Sequence, residues 1–154
     1  MSDNIARQGV VGQERQENPG ALSPQQARQI FRSGTVAHTS GYSRGYAQAN
    51  LITLPQEQAF DFLLFAQRNP KPCPLLGVLE AGQVSSELLA DGDIRSDLPL
   101  YRVYRNGQLD SEVPDVRDIW RDDLVSFIIG CSFTFETALL DNGCLLYTSD
   151  AADD

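Results

Sequence analysis

The order of local patterns along the 154 residues predicts a fold that combines α-helices with β-strands, of the α/β or α+β class. Three segments carry helix-start signals followed by helical apolar spacing, and others read as strands, two of them in a hairpin around Asn106-Gly107. The hydrophobic content of 42% allows one buried core, and the length suggests a single domain. These observations predict one domain built from helices and a sheet.

The first predicted element is a helix over about residues 24–33. Ser23 and Gln26 have the spacing of a capping box, in which each side chain bonds the other residue's backbone. Pro24 suits the first helical position, and Gly34 suits the end. This stretch therefore has both a start and a stop signal.

A second helix is predicted from Pro55 to no further than Asn69, because Pro70 disfavours helical backbone at the residue before it. The two helices are separated by a predicted loop over residues 34–50. The apolar run at 74–79 follows a proline and is short for a buried helix. We therefore predict a buried strand there.

The clearest local pattern is a β-hairpin. Residues 101–105 alternate aromatic or branched side chains with arginines, and Asn106-Gly107 forms a two-residue turn signal because both positions tolerate positive φ. The return strand is predicted over 108–113. Residues 124–129 are predicted as a further buried strand, although the same apolar run would also suit the start of a helix.

The composition excludes several classes of partner. Twelve basic against 21 acidic side chains give a net charge of −9, which repels phosphate backbones and anionic membranes, so no nucleic-acid or membrane partner is predicted. The apolar runs are short for a bilayer crossing, and the absence of a signal-peptide pattern predicts a cytoplasmic protein. Cys73, Cys131 and Cys144 lack metal-ligand spacing, and no cofactor motif is present, so neither a metal nor a cofactor is implied.

The segment over residues 39–51 is the first candidate for binding. It combines two glycines, an arginine, Tyr46 and a second tyrosine, and the amides of Gln48 and Asn50, without a helical or alternating apolar period. Glycines let the backbone approach a ligand, and neutral amides polarise a carboxyl or carbonyl group. The alternative is a tight glycine turn with the tyrosines packed beneath it.

A second candidate group is Asp93, Arg95 and Asp97, whose alternation would place all three side chains on one face of an extended backbone. An arginine between two carboxylates can hold a substrate carboxylate while the acids move protons. The alternative is an ion-pair network that stabilises the entrance to the hairpin.

A third candidate group stands just before a last predicted helix, which ends at Gly143. Cys131 and Ser132 would lie at the positive end of the helix dipole, where free backbone N–H groups stabilise an anion and lower a thiol pKa. The alternative is that Cys131 acts as a small buried apolar residue.

Four segments together resemble the DUF1445 family, also called UPF0317, a hydro-lyase group whose relatives include the mitochondrial D-glutamate cyclase. In the family's order, they are residues 39–51, 73–78, 93–107 and 127–136. The resemblance favours the α/β class, with a mixed sheet and flanking helices. It implies that residues 22–143 are the N-terminal part of a larger α/β enzyme.

The resemblance also implies a carbon-oxygen lyase that removes water from, or adds it to, a small carboxylate substrate. Its most concrete form is the cyclisation of D-glutamate to 5-oxo-D-proline, which needs a proton carrier and a bound oxyanion. The residues expected to share this work are Tyr46, Gln48, Asn50 and Arg95 in substrate binding and Asp93, Asp97, Cys131 and Ser132 in catalysis.

Two other functions stay open: a non-catalytic protein that binds an amino acid or organic acid with the same residues, and a purely structural subunit. A homo-oligomer is compatible with each. Residues 1–21 are polar without an apolar face and are predicted to be disordered. Residues 144–154 look like a translated sequencing adapter, so we expect a non-native tail and an inactive fragment.

Overall fold

The structure of the chain is a computed structural model, and it describes residues 18–143. Its helices are α1 (Pro24–Phe31), α2 (Gln56–Arg68) and α3 (Phe133–Asp141). Its strands are β1 (Ala49–Pro55), β2 (Leu75–Leu79), β3 (Tyr101–Arg105), β4 (Gln108–Val113) and β5 (Leu124–Gly130). None of the helices in this range combines the length and the apolar content needed to cross a membrane.

The five strands form two separate sheets. A three-stranded sheet has the order β1-β5-β2, and β3 pairs with β4 in the hairpin. Every strand pair in residues 18–143 is antiparallel, so the prediction of a mixed sheet is wrong for this part of the chain. The reason is that β1 and β2 run in the same direction, but β5 inserts between them and opposes both.

Strand β5 carries the core because side chains on both of its faces are covered. Ile128 packs with Leu79 and Ile94 on one face. Phe127 lies on the other face and meets Phe62 of α2 with ring centroids 4.7 Å apart. Burial of both faces explains why the sequence of β5 reads as a continuous apolar run.

Several predicted elements are confirmed. Both hydrogen bonds of the capping box between Ser23 and Gln26 are present at the start of α1. The hairpin turn has Asn106 at φ 52° and Gly107 at φ 77°, the positive values that such a turn requires. The strand over residues 124–129 and the helix after Ser132 are also found.

Two features differ from the sequence prediction. Strand β1 occupies residues that were predicted as the end of a loop and the approach to α2, so Asn50 lies in a strand opposite Ile129. Residues 19–21, predicted as disordered, form a 3-10 turn whose carbonyl groups bind the following loop. The predictions for residues 1–17 and 144–154 lie outside the described residues.

Candidate functional site

The candidate binding segment folds back over α1 as a loop of residues 39–48, called here the glycine loop. Gly41 and Gly45 have φ values of 81° and 86°, which side chains with a Cβ adopt only at a cost. The backbone N–H of Ser43 donates to the carbonyl of Pro19 at 3.0 Å. The ring of Tyr42 packs edge-on against Phe31, with centroids 5.0 Å apart. The loop is therefore fixed to α1 and to the turn before it.

Gln48 is the residue that holds the glycine loop together. Its Oε1 accepts a hydrogen bond from the Thr39 hydroxyl at 2.7 Å, and its Nε2 donates to the carbonyl of Tyr42 at 3.2 Å. Its backbone N–H donates to Oγ1 of Thr134 at 3.0 Å, which ties the loop to α3. The predicted polarising amide is thus engaged in both directions within the protein.

Two small cavities border the glycine loop. The first has a volume of about 170 Å³ and lies between residues 40–46 of the loop and the first residues of α3. The second, called here the α1 cavity, has a volume of about 140 Å³ and lies between the loop and α1, with Arg28 and Phe31 in its wall. Ser43 lines both cavities, and its Oγ is buried without a hydrogen-bond partner in the described structure.

The four residues predicted to bind substrate do not lie together in the structure. Tyr46 lines both cavities and is 56% exposed, and Gln48 lines both from inside the loop. Asn50 is exposed on β1 and is not among the residues that line either cavity. Arg95 is also absent from both walls. The structure therefore brings together only Tyr46 and Gln48 of these four.

The segment of residues 93–97 is a turn, so the expectation of an extended backbone with three side chains on one face is wrong. The backbone N–H groups of Ser96 and Asp97 both donate to the carbonyl of Asp93, at 3.2 and 3.0 Å. Arg95 folds back onto Asp93, with its Nε 2.9 Å from Oδ1 and its Nη2 2.8 Å from Oδ2. The hydrogen bonds from Arg95 hold the pKa of Asp93 below its usual range.

Asp97 is the most buried ionisable group of the site, with a side chain that is 2% exposed. Its two oxygens accept from Nε and Nη2 of Arg32 at 2.5 and 2.7 Å, and the N–H of Asp93 donates to it at 2.9 Å. Burial raises the pKa of Asp97, but the hydrogen bonds, led by those from Arg32, outweigh it and hold the pKa below its usual range. Asp97 therefore stays charged as a structural anion.

Cys131 and Ser132 lie before α3, as predicted, but the Cys131 N–H is already occupied. It donates to the carbonyl of Gln48 at 3.3 Å, so it is not free to bind an oxyanion. Cys131 is partly exposed and Ser132 is exposed. The two side chains remain open to solvent, and the prediction for their backbone amides is wrong at Cys131.

The sequence prediction did not include Arg28, Arg32, Ser43 or Thr134. Arg28 and Arg32 stand one turn apart on α1 and at its end, a spacing that places both side chains on one helix face. This spacing was the available signal for them. Ser43 and Thr134 carry no such signal, because their importance depends on contacts made after folding. Within residues 18–143, no group of three or more His, Cys, Asp or Glu side chains could hold a metal ion.

No family model matches the chain. It is 94% identical over 134 residues to a protein of Corynebacterium jeikeium (strain K411), 71% identical over 122 residues to one of Corynebacterium urealyticum, and 62% identical over 123 residues to one of Mycolicibacterium gilvum. All three bear the name "Putative hydro-lyase". These matches cover 87%, 79% and 80% of the chain, and they support the hydro-lyase family that the motifs indicated.

The chain spans about half the length of the curated relatives it matches, namely 49%, 47% and 47% of these three.

Proposed function

We propose that the chain forms part of a hydro-lyase that removes water from, or adds it to, a small carboxylate substrate. The observation that carries this proposal is the 94% identity to the protein of C. jeikeium that bears the name "Putative hydro-lyase". The finer proposal, from the resemblance to the DUF1445 family, is that the substrate is D-glutamate and the product is 5-oxo-D-proline.

The cavities beside the glycine loop support a small substrate. Their volumes of about 170 and 140 Å³ are below the roughly 300–1,000 Å³ of pockets that hold drug-sized ligands. The α1 cavity has an aromatic wall from Phe31 and Tyr42 and one cationic wall residue, Arg28. A short organic acid matches this combination of size and charge, whereas a nucleotide does not.

The carboxylates near the α1 cavity suggest different roles. Asp97 is nearly fully buried and bonded to Arg32, whereas the Asp93 side chain is 30% exposed. The backbone N–H of Asp93 donates to Asp97, which in turn contacts Arg28. Because its carboxylate is the more accessible of the two, we assign proton transfer to Asp93 and a positioning role to Asp97. In cyclisation of D-glutamate, Asp93 would carry protons from the attacking amine to the departing carboxyl oxygen, which leaves as water.

The test follows water loss by mass spectrometry with the full-length relative from C. jeikeium. D-glutamate, L-glutamate and several hydroxy acids are supplied separately, and loss of one water from a carboxylate is expected. The 154-residue chain is assayed in parallel and is expected to bind without turnover. Absence of water loss from every acid with the full-length relative would contradict the proposal.

The role of Asp93 is tested in a chimera whose matched half comes from this chain. Asp93→Asn should slow water loss by about 100-fold or more, the usual scale for a lost general acid or base. The matched control is Asp110→Asn, because Asp110 is an exposed hairpin acid paired with Arg105. Equal rates for the two variants would remove Asp93 from catalysis.

A second candidate function is non-catalytic binding of an amino acid or organic acid. The observation that favours it is that the side-chain amide of Gln48, predicted to bind substrate, and the N–H of Cys131, predicted to bind an oxyanion, are already bonded within the protein. Binding of D-glutamate by the full-length relative without any product would support this second function.

A further inference from the structure

We infer that Arg28 is the anion-binding group of the α1 cavity, where its guanidinium holds the carboxylate of a short organic acid. This inference rests on the proposed function only in taking the substrate to be a small carboxylate. It replaces Arg95, the residue expected from sequence, with an arginine of α1.

The charges around Asp97 do not balance. Arg28 and Arg32 both form their ion pair with this one carboxylate. Arg32 makes two direct hydrogen bonds to it at 2.5 and 2.7 Å, whereas Nε of Arg28 stands 3.7 Å away. The hydrogen bond that Arg28 does make, 3.1 Å from Nη2, goes to the neutral carbonyl of Ala90. The group therefore carries one excess positive charge, centred on Arg28.

The low solvent exposure of Arg28 makes this excess charge unfavourable in the absence of a ligand. The Arg28 side chain is 15% exposed, compared with 48% for Arg32, so water compensates Arg28 much less. A buried cation without its own counter-ion is costly unless a ligand supplies the charge. Because Arg28 forms part of the wall of the α1 cavity, a carboxylate in that cavity would supply it. The whole chain is acidic, so a local positive excess also stands out against its net charge of −9.

Ser43 provides a second, independent observation. It is 7% exposed, lines the same cavity as Arg28, and its Oγ lacks a hydrogen-bond partner in the described structure. Buried hydroxyl groups are usually bonded, but the Ser43 hydroxyl lacks a partner in a residue that borders the cavity. Its φ of 48° is unusual for a residue with a Cβ, which means that the fold holds this serine in a strained backbone conformation.

The surroundings of Arg28 also keep its side chain in place. A Cβ at Gly92 would come within 3.0 Å of Nε and 3.2 Å of Cδ of Arg28, so the side chain lies directly against this glycine. Ala27, Phe31 and Ala49 supply apolar walls for a carbon skeleton. Arg95, by contrast, is neutralised by Asp93 and lines neither cavity. A carboxylate in the α1 cavity would therefore meet a guanidinium that is already positioned.

The experiment measures binding of glutarate to the 154-residue chain by calorimetry, with the neutral diamide glutaramide as the matched probe. Glutarate should bind and glutaramide should not. Arg28→Lys should weaken glutarate binding by about 10- to 100-fold, because lysine cannot reproduce a planar two-point contact. The control Arg102→Lys changes an exposed hairpin arginine that pairs with Glu112, and should leave binding unchanged.

The variant Ser43→Gly distinguishes an effect on glutarate binding from an effect on folding. Glycine accepts the positive φ and removes the hydroxyl, so the melting temperature should hold or rise while glutarate binding weakens. Unchanged affinity in both Arg28→Lys and Ser43→Gly would overturn the inference, as would a wild-type chain that binds no glutarate. Water loss by the full-length relative, measured separately, would in those cases leave the proposed function standing. Binding that depends on Arg28, with no water loss by the relative, would instead retain the inference and remove the function.

Discussion

The substitution Asp97→Asn, at the buried carboxylate that pairs with Arg28 and Arg32, is the sharpest test of how the site is supported. The carboxylate accepts two hydrogen bonds from Arg32, one from the N–H of Asp93 and one from the Ser96 hydroxyl at 3.0 Å. It is also the acidic partner of Arg28. An asparagine keeps one acceptor oxygen but places an NH₂ donor where the other oxygen was, opposite groups that also donate.

The size of the effect follows from the burial of each partner. Breaking a fully buried ion pair costs about 3–5 kcal/mol. Arg32 is half exposed and regains water, which lowers the value, while the largely buried Arg28 does not. We therefore expect the free energy of unfolding to fall by about 2–4 kcal/mol. At roughly 3 °C per kcal/mol, the melting temperature should fall by about 6–12 °C.

The loss of stability caused by Asp97→Asn should also depend on pH. Because the pKa of Asp97 is lower in the folded state than in the unfolded state, its charge stabilises the fold above the ordinary aspartate pKa of about 3.9. That stabilisation disappears as the pH falls through the lower folded value. The difference between wild type and Asp97→Asn should thus be complete at pH 7 and shrink below about pH 4.

The assay is chemical and thermal unfolding followed by circular dichroism, with Asp110→Asn as the control. Asp110 is 45% exposed and 3.4 Å from Arg105, so its substitution should change stability by less than about 1 kcal/mol. Equal stability of the two variants at pH 7 would refute the reasoning, because the burial of Asp97 would then have no energetic consequence.

Three further predictions concern the scaffold. Tyr101→Phe removes a hydroxyl that donates to Ile94 at 2.8 Å and accepts from Leu98 at 3.2 Å, so stability should fall by about 1–2 kcal/mol in denaturant titrations. Burial raises the pKa of Tyr101, so its contribution should be lost as the pH rises above about 10, and a phenylalanine variant with the same alkaline profile as wild type would disprove this. Ser23→Ala should lower the unfolding free energy by about 1 kcal/mol through loss of the helix cap, and an unchanged melting temperature would contradict that role. Gly107→Ala meets no atom within 4 Å of its new Cβ, so the expected loss of about 1–2 kcal/mol comes from backbone conformation alone, and a neutral result would show that the hairpin turn adapts.

The elements that sequence predicted well are those with local signals. The capping box of α1, the Asn106-Gly107 turn and the apolar run of β5 each depend on residues a few positions apart. Strand β1 was missed because residues 51–54 lie between a glycine-rich segment and Pro55, where no turn signal separates a strand from the following helix. Its identity as a strand comes from pairing with β5, whose residues lie 69 to 81 positions further along the chain.

The candidate site also combines features that the sequence predicted with features that it did not. The glycine loop was recognised from its composition, and two of its predicted binding residues, Tyr46 and Gln48, do border the cavities. The sequence also indicates the group at residues 93–97, but the alternation of its charged side chains predicts an extended backbone, which is wrong. In the structure, the carbonyl of Asp93 closes a turn, and Arg95 bonds Asp93 alone of the two carboxylates.

By itself, the sequence determined the local elements of the fold, the net negative charge and the motifs that indicate the hydro-lyase family. These features depend on neighbouring residues and on composition, and tertiary packing changes neither. Only the tertiary structure decided that Arg28 and Arg32 share Asp97, which is 69 and 65 positions from them, and that Gln48 bonds Thr134, 86 positions away. Such pairings depend on which faces of α1, the glycine loop and α3 are buried together, and burial is what turns a surface arginine into a charge that needs a partner.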